Sequence, residues 1–191
     1  MGNLLKLDDQ LFLFLNNLGT ESWDGFWLFI TDKYLAFPLY GLLALLVLWK
    51  TGFKSAVVSG FMILGTVATA YVISYLMKHG IARPRPCNIF EIGTEMRFPL
   101  ASKGKECGDF GFVSSHATVG MAMITLIALI LKPYYKYIVF PLTVWILLFS
   151  YSRIYVGKHY PGDLIVGILI GFIVGWIGFK VRELILNKYK Y

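Results

Sequence analysis

Charge is scarce in this chain. Asp, Glu, Lys and Arg make up 15% of its 191 residues, while 57% are hydrophobic. A disordered segment needs the opposite balance, so that class is excluded, and a polytopic membrane protein is indicated. Cysteine is scarcer still. Two are present, Cys87 and Cys107, with no C-x-x-C pair, so the cysteines define no zinc site. There is no internal repeat and no stretch that reads as a separate soluble domain. The first apolar stretch lacks a basic leader and a small-residue cleavage site, so it is read as part of the fold and not as a signal peptide.

What the chain has is long apolar runs. Five read as membrane spans, at about 35–49, 55–77, 114–131, 137–151 and 161–179. Each approaches the roughly 20 residues a bilayer needs, the first and fourth by drawing on their flanks. Ahead of them, Leu11, Phe12, Leu15 and Leu18 recur at helical spacing, as expected of an amphipathic helix lying in the interface. Residues 23–30 form a second short segment whose Trp23 and Trp27 suit the headgroup level. The expected fold class is all-α: a polytopic transmembrane bundle of five spans with interfacial or re-entrant N-terminal helices, or six spans if one of those also crosses. Residues 1–191 read as one integral-membrane domain, with 1–31 as the N-terminal helices and 78–113 as an extracytoplasmic loop.

The formal net charge is +7. In a soluble protein such an excess could suggest nucleic acid. Here the bases sit mostly between and after apolar runs, so they read as topology signals and anion ligands, and no nucleic-acid partner is expected. Five spans place Lys50, Lys54, Lys132, Lys136, Lys180, Arg182, Lys188 and Lys190 on one side, against Glu183 alone. Short basic loops face the cytoplasm, so the C-terminus is expected there, with 78–113 and 152–163 outside.

Three polar clusters fall on that outer side. They are K-H-G-I-A-R-P-R-P at 78–86, V-S-S-H at 113–116, and S-R-I-Y-V-G-K-H-Y-P-G-D at 152–163. Topology alone gathers Lys78, Arg83, Arg85, Ser114, His116, Arg153, His159 and Asp163. Ionisable groups near the bilayer core cost about 2.5–3.5 kcal/mol each on insertion scales, so they are rarely idle. The set suits phosphoryl transfer. Several cationic donors offset the growing charge of a phosphate, and arginine offers forked hydrogen bonds. Ser114 as an N-cap would leave helix N–H groups facing an anion. Two histidines let one attack phosphorus while the other protonates the leaving oxygen, and an aspartate would fix the tautomer of the first. Pro161 should open the last helix, so the His159–Asp163 pair reaches across its first turn.

In this order and spacing the clusters resemble the signature of the type 2 phosphatidic acid phosphatase superfamily, K-x6-R-P, P-S-G-H and S-R-x5-H-x3-D. Lys78, Arg85 and Pro86 meet the first motif, and Ser152, Arg153, His159 and Asp163 meet the third. Ser114 and His116 meet the second, with Val113 in place of proline and Ser115 in place of glycine. Serine resists turns that glycine permits, so Ser115 raises a question about the local backbone. The resemblance implies His159 as nucleophile, Asp163 as its partner and His116 as general acid. It implies Lys78, Arg85, Ser114 and Arg153 as phosphate ligands, with no metal and no cofactor required. It further implies a lipid phosphatase of the bacterial inner (cytoplasmic) membrane. Undecaprenyl diphosphate or a related lipid phosphate is the first expectation for the substrate, and lipid A, phosphatidate or phosphatidylglycerol phosphate are the alternatives.

Other readings are weaker. The superfamily includes haloperoxidases, which hold vanadate in the same site, but those are soluble. An anion channel or transporter would place its charges nearer the midplane or show repeated halves. A catalytically dead, lipid-binding relative also fits the departures at Val113 and Ser115. Among the remaining residues, Arg83 is expected in solvent or a loop contact, with a lipid headgroup as the alternative, and His79 in a structural or interfacial role. Lys158 is expected to be solvated, and Tyr155 and Tyr160 to be interfacial aromatics. Gly167, Gly171, Gly175 and Gly178 are expected to serve helix packing. Cys87 and Cys107 share the outer segment; a disulfide there would stabilise it by about 3 kcal/mol in the chain-entropy account, and free thiols are the alternative.

Overall fold

Proline and short polar turns break the apolar runs into helices. The structure, a computed structural model, describes residues 2–32, 34, 36–99 and 107–189. Leu35 at the expected start of the first span, 100–106 of the expected outer loop, and Lys190 lie outside the described residues. The elements are α1 (Gly2–Asn17), α2 (Glu21–Thr31), α3 (Ala36–Thr51), α4 (Phe53–Ile81), a 3-10 turn (Pro86–Asn88), α5 (Phe90–Glu95), α6 (Ser115–Leu131), α7 (Val139–Tyr155) and α8 (Pro161–Tyr189). Every named element is helical, as the expected fold class requires.

Helix length separates the expected spans. α4 and α8 have 29 residues each and are apolar enough to cross a membrane. α2 and α3, bent by 47° at the break between them, pass only as a pair. α6 and α7 are apolar but have 17 residues each. At 1.5 Å per residue they are about 25 Å long, short of a hydrocarbon core of roughly 30 Å. Two crossings, or three with the bent pair, therefore follow from length and composition. α8 also outruns its expected end at 179. The basic tail stays helical because Arg182, 5% exposed, turns inward and donates to Ser59 Oγ and Ser55 Oγ on α4, both at 2.7 Å.

The bundle is apolar on its outside as well as its inside. Phe61, Leu64, Leu76, Phe140, Leu147, Leu169 and Ile173 all stand exposed. A soluble fold rarely leaves so much apolar surface uncovered, and lipid would cover it. One core cluster joins α3, α6 and α7 through Leu43, Val47, Leu126, Leu131, Ile146 and Phe149. A second, at the other end, packs Phe12 of α1 and Ile92 of α5 against Ala117, Ile154, Tyr160 and Leu164.

α6 and α8 lie closest together. A Cβ at Gly171 or Gly175 would run into the backbone of Thr118 or Ala122, so the α8 glycines make a seam that lets the two helices touch. α1 presents two faces. Leu11 and Leu18 are exposed, and the inward stripe is Asp8, Phe12 and Asn16, spaced four apart. Asn16 Nδ2 donates to the carbonyls of Ile154 and Tyr155, at 3.0 and 3.1 Å. α1 is docked on the protein by polar groups and by Phe12, with Leu13 and Leu15 partly buried beside it.

The loop between α4 and α6 is pinned close to the helix ends. Pro84 and Phe110 form an antiparallel bridge, the Gly111 N–H donates to Arg83 O at 2.8 Å, and Cys87 is joined to Cys107 with Cα atoms 6.4 Å apart. Titration of unreduced, denatured protein with a thiol reagent should find no reactive cysteine. Two reactive thiols would contradict the bridge.

Candidate active site

Four helix ends meet at one end of the bundle: the last turns of α4 and α7 and the first turns of α6 and α8. Hydrogen bonds tie them together. Lys78 Nζ donates to Ser115 Oγ at 3.4 Å, and the Ser114 N–H donates to the Asp163 carbonyl at 3.2 Å.

His159 and Asp163 form the centre. Pro161 is the first residue of α8, where its missing N–H costs nothing. The chain before it bends so that His159 Nδ1 lies 3.3 Å from Asp163 Oδ2. The same oxygen accepts from the Tyr160 N–H at 3.0 Å. Both side chains are almost sealed, at 2% and 0% exposure. A carboxylate at Nδ1 keeps the proton there and leaves Nε2 with its lone pair. Gly111 closes over the pair; a Cβ on it would lie 2.9 Å from Asp163 Oδ2 and 3.7 Å from His159 Nδ1, so the loop can approach only as glycine. Burial, and then the charges of Arg153, Arg85 and Lys78, push the His159 imidazole well below its usual range; a hydrogen bond with the Gly111 backbone opposes them.

The cations surround this pair. Arg85 is held by its Nε–H, which donates to Phe110 O at 3.0 Å. Arg153 is 7% exposed and donates from Nη1 to Thr31 Oγ1 at 2.6 Å. His116 packs on Phe149, ring centroids 5.4 Å apart, and is close enough to Arg153, His159, Lys78 and Arg85 to interact with each electrostatically. Among the described residues, Ser114 Oγ and Arg153 Nε are buried without a hydrogen-bond partner. Such a group costs about 1–3 kcal/mol unless something pairs with it. Ser114 stands at the N-cap of α6, but its hydroxyl makes no capping bond. No three His, Cys, Asp or Glu side chains among the described residues cluster closely enough to hold a metal ion.

Lys78, Arg85, Ser114, His116, Arg153, His159 and Asp163 are thus at one end of the bundle. Two expectations need correction, one for Arg83 and one for the two tyrosines. Arg83 is not in solvent: its Nη1 donates to Asp8 Oδ2 at 2.7 Å and to Asp163 Oδ1 at 3.2 Å. Tyr155 and Tyr160 are not interfacial; each is 1% exposed, because α1, α2 and the loop between α4 and α6 cover them. His79 is exposed on α4, with Nδ1 2.9 Å from Tyr75 O.

Ser115 begins α6 in ordinary helical backbone, so no glycine is needed there, and its hydroxyl bonds both Lys78 and Ser74. Thr31, Gly111 and Asp8 carry no motif that marks them, and their proximity arises only in three dimensions. Beside His116 lies an apolar chamber of about 290 Å³, lined by Ala36, Phe37, Tyr40, Val119 and Phe149 among others.

The profile described as the PAP2 superfamily matches residues 59–185. The chain belongs to that superfamily. It is a membrane phosphatase, a hydrolase of phosphomonoesters or diphosphates. It is 32% identical over 183 residues to a lipid A 4'-phosphatase of Bacteroides thetaiotaomicron, covering 94% of this chain and 79% of the relative. It is 30% identical over 166 residues to the undecaprenyl-diphosphatase BcrC of Bacillus subtilis, covering 85% and 76%. Its fold matches the crystal structure of a transmembrane PAP2 type phosphatidylglycerolphosphate phosphatase from Bacillus subtilis, with a TM-score of 0.75, 18% identity and coverage of 97% and 89%.

The direction of the His159 shift fixes a sign. Below about pH 6.5 the unfolded chain binds a proton at this histidine that the folded protein resists. His159 therefore contributes stability above that pH, and its contribution is lost as pH falls toward the folded value, by up to about 1.4 kcal/mol per pH unit. The thermal midpoint should fall from pH 7 to pH 5 by a few degrees more in the wild type than in His159→Asn. Parallel falls would contradict the shift.

Proposed function

We propose that this single-domain chain hydrolyses a lipid phosphate through a covalent phosphohistidine, with His159 as nucleophile. The observation that carries the reading is the sealed His159–Asp163 pair ringed by Lys78, Arg85 and Arg153. His159 Nε2 attacks phosphorus in line as the P–O bond to the lipid breaks. His116 gives its proton to the departing oxygen. Water then attacks the phosphohistidine while His116 takes the proton back, releasing phosphate and restoring Nε2. Asp163 holds Nδ1–H and balances the charge on the ring. Lys78, Arg85, Ser114 and Arg153 bind the phosphate oxygens; Ser114 Oγ and Arg153 Nε, buried and unpartnered among the described residues, are suited to that task. The residues present make the mechanism complete without a metal.

The chamber beside His116 would take the first part of the aliphatic tail, leaving the rest in lipid. The 32% identity across most of the chain favours a lipid A 4'-phosphate over undecaprenyl diphosphate, which reverses the first expectation from sequence. The enzyme is proposed to sit in a bacterial inner membrane, with α6 and α7 crossing a locally thinned or polar-flanked region so that five or six segments span. Lys50, Lys54, Lys132, Lys136, Lys180 and Lys188 lie at the helix ends away from the site. Short basic segments favour the cytoplasm, which supports a cytoplasmic position for that end and an outer-face position for the site.

Detergent-purified protein in EDTA should release phosphate from at least one of lipid A, undecaprenyl diphosphate, phosphatidylglycerol phosphate and phosphatidate. His159→Ala should lose at least about 10³-fold in rate. Val119→Trp, which fills the chamber, should cut kcat/KM on the long-chain lipid by roughly 10-fold or more and leave para-nitrophenyl phosphate unaffected. No release from folded protein, or release that persists in His159→Ala, would overturn the reading.

A further inference from the structure

Asp163 has two oxygens, and the dyad uses one. Oδ2 serves His159 and the Tyr160 N–H, while Oδ1 faces Arg83 Nη1 at 3.2 Å. Asp163 is fully buried, and a buried carboxylate needs a counter-charge. Arg83 supplies one from outside the ring of proposed phosphate ligands. It does not stand alone. Its guanidinium lies 3.8 Å from the Tyr160 ring centroid, and Nη1 is held at 2.7 Å by Asp8 Oδ2. Asp9 Oδ1 stands 3.7 Å from Nη2.

Asp8 belongs to α1, outside the 59–185 stretch that defines the superfamily match. Its other oxygen, Oδ1, accepts from the Gly162 N–H at 2.8 Å, so Asp8 also binds the first turn of α8. A Cβ on Gly162 would lie 2.8 Å from Asp8 Oδ2, which shows how tightly the carboxylate is seated. Asp8 and Arg83 are each 15% exposed, buried enough for the pair to resist solvent screening. The result is one continuous chain, Asp8–Arg83–Asp163–His159, that runs from the N-terminal helix to the imidazole.

We infer that Arg83 and Asp8 are positioning residues, and that α1 fixes the rotamer and charge of Asp163 through them. Held by two carboxylates, Arg83 is kept off the phosphate and spent on orienting Asp163, so Nδ1–H stays paired and Nε2 stays aimed. Lysine is a poor substitute, because a point charge cannot bridge Asp8 and Asp163 as Nη1 does while also facing Asp9 as Nη2 does. The kinetic arm of the test rests on the phosphatase reading above; the spectroscopic arm does not.

The chain has three histidines, so imidazole 15N spectra of labelled protein are readable, with His159→Ala giving the assignment. Wild type should show His159 with Nδ1 protonated and Nε2 bare, and Arg83→Ala should shift it toward a tautomer mixture. With a lipid phosphate, Arg83→Ala should lower kcat by roughly 100-fold with KM within about threefold. Arg83→Lys should recover part of the loss. Asp8→Asn should lower kcat by roughly 3–10-fold and add nothing in the Arg83→Ala background, because the two act through one path. If Arg83→Ala does not fold, Arg83→Lys and Asp8→Asn, singly and together, carry the same comparison. A raised KM at constant kcat would make Arg83 a substrate ligand and overturn the inference, as would independent effects of the two substitutions. Should wild type release no phosphate, the phosphatase reading fails, and the tautomer alone decides: unchanged in Arg83→Ala and Asp8→Asn, it overturns the inference; shifted, it supports it.

Discussion

A carboxylate with no exposed surface must be matched from every side, and Asp163 at the head of α8 meets that demand from two segments at once. Its own junction provides the His159 ring and the Tyr160 N–H. The segment after α4 provides Arg83. Lys78, Arg85 and Arg153 also face the imidazole, and among the described residues none forms a salt bridge, although Asp109 acts on Arg85 electrostatically. That division makes the site anion-hungry. On the proposed reading, the positive charges that Asp163 does not neutralise serve phosphate, in surroundings where burial strengthens every electrostatic contact.

Holding such a charge cluster still requires a stiff frame. The glycine seam of α8 lets α6 approach its backbone, and the Ser114 N–H then reaches the Asp163 carbonyl. Residues 83–85 and 108–111 pair across the top, with Gly111 laid directly over the dyad. α1 and α2 wrap the outside. Asn16 fastens α1 to the end of α7, and Arg97 and Tyr155 bind Asp24 of α2 at 2.7 and 2.6 Å. The N-terminal helices therefore contribute polar groups to the working end of the protein and apolar surface to the lipid.

Much of this was legible in the sequence. The three polar clusters use residue types that seldom sit at the edge of apolar runs, so their chemistry and order stood out. The helices of the four later runs begin or end within a few residues of where the apolar runs do. Arg83 was misjudged because it lies two residues from Arg85 in an irregular segment, where spacing carries no information about facing. Its partner Asp8 is 75 residues away in sequence, and nothing in the pattern of α1 distinguishes a carboxylate docked on protein from one in solvent. Tyr155 and Tyr160 were read as an aromatic belt because composition cannot separate a ring at the headgroups from one covered by other helices. The α8 tail looked like a stop, since its charges hid the inward turn of Arg182.

The most direct test of the account is whether phosphate becomes bonded to His159. A good leaving group bypasses the proton that His116 gives, but water still needs His116 as base, so phosphorus-labelled para-nitrophenyl phosphate and His116→Ala should trap the intermediate. After an alkaline quench, the label should sit on the peptide that contains His159 and vanish in the His116→Ala, His159→Ala double variant. Phosphate release without any protein-bound label, or label on another residue, would contradict the central claim.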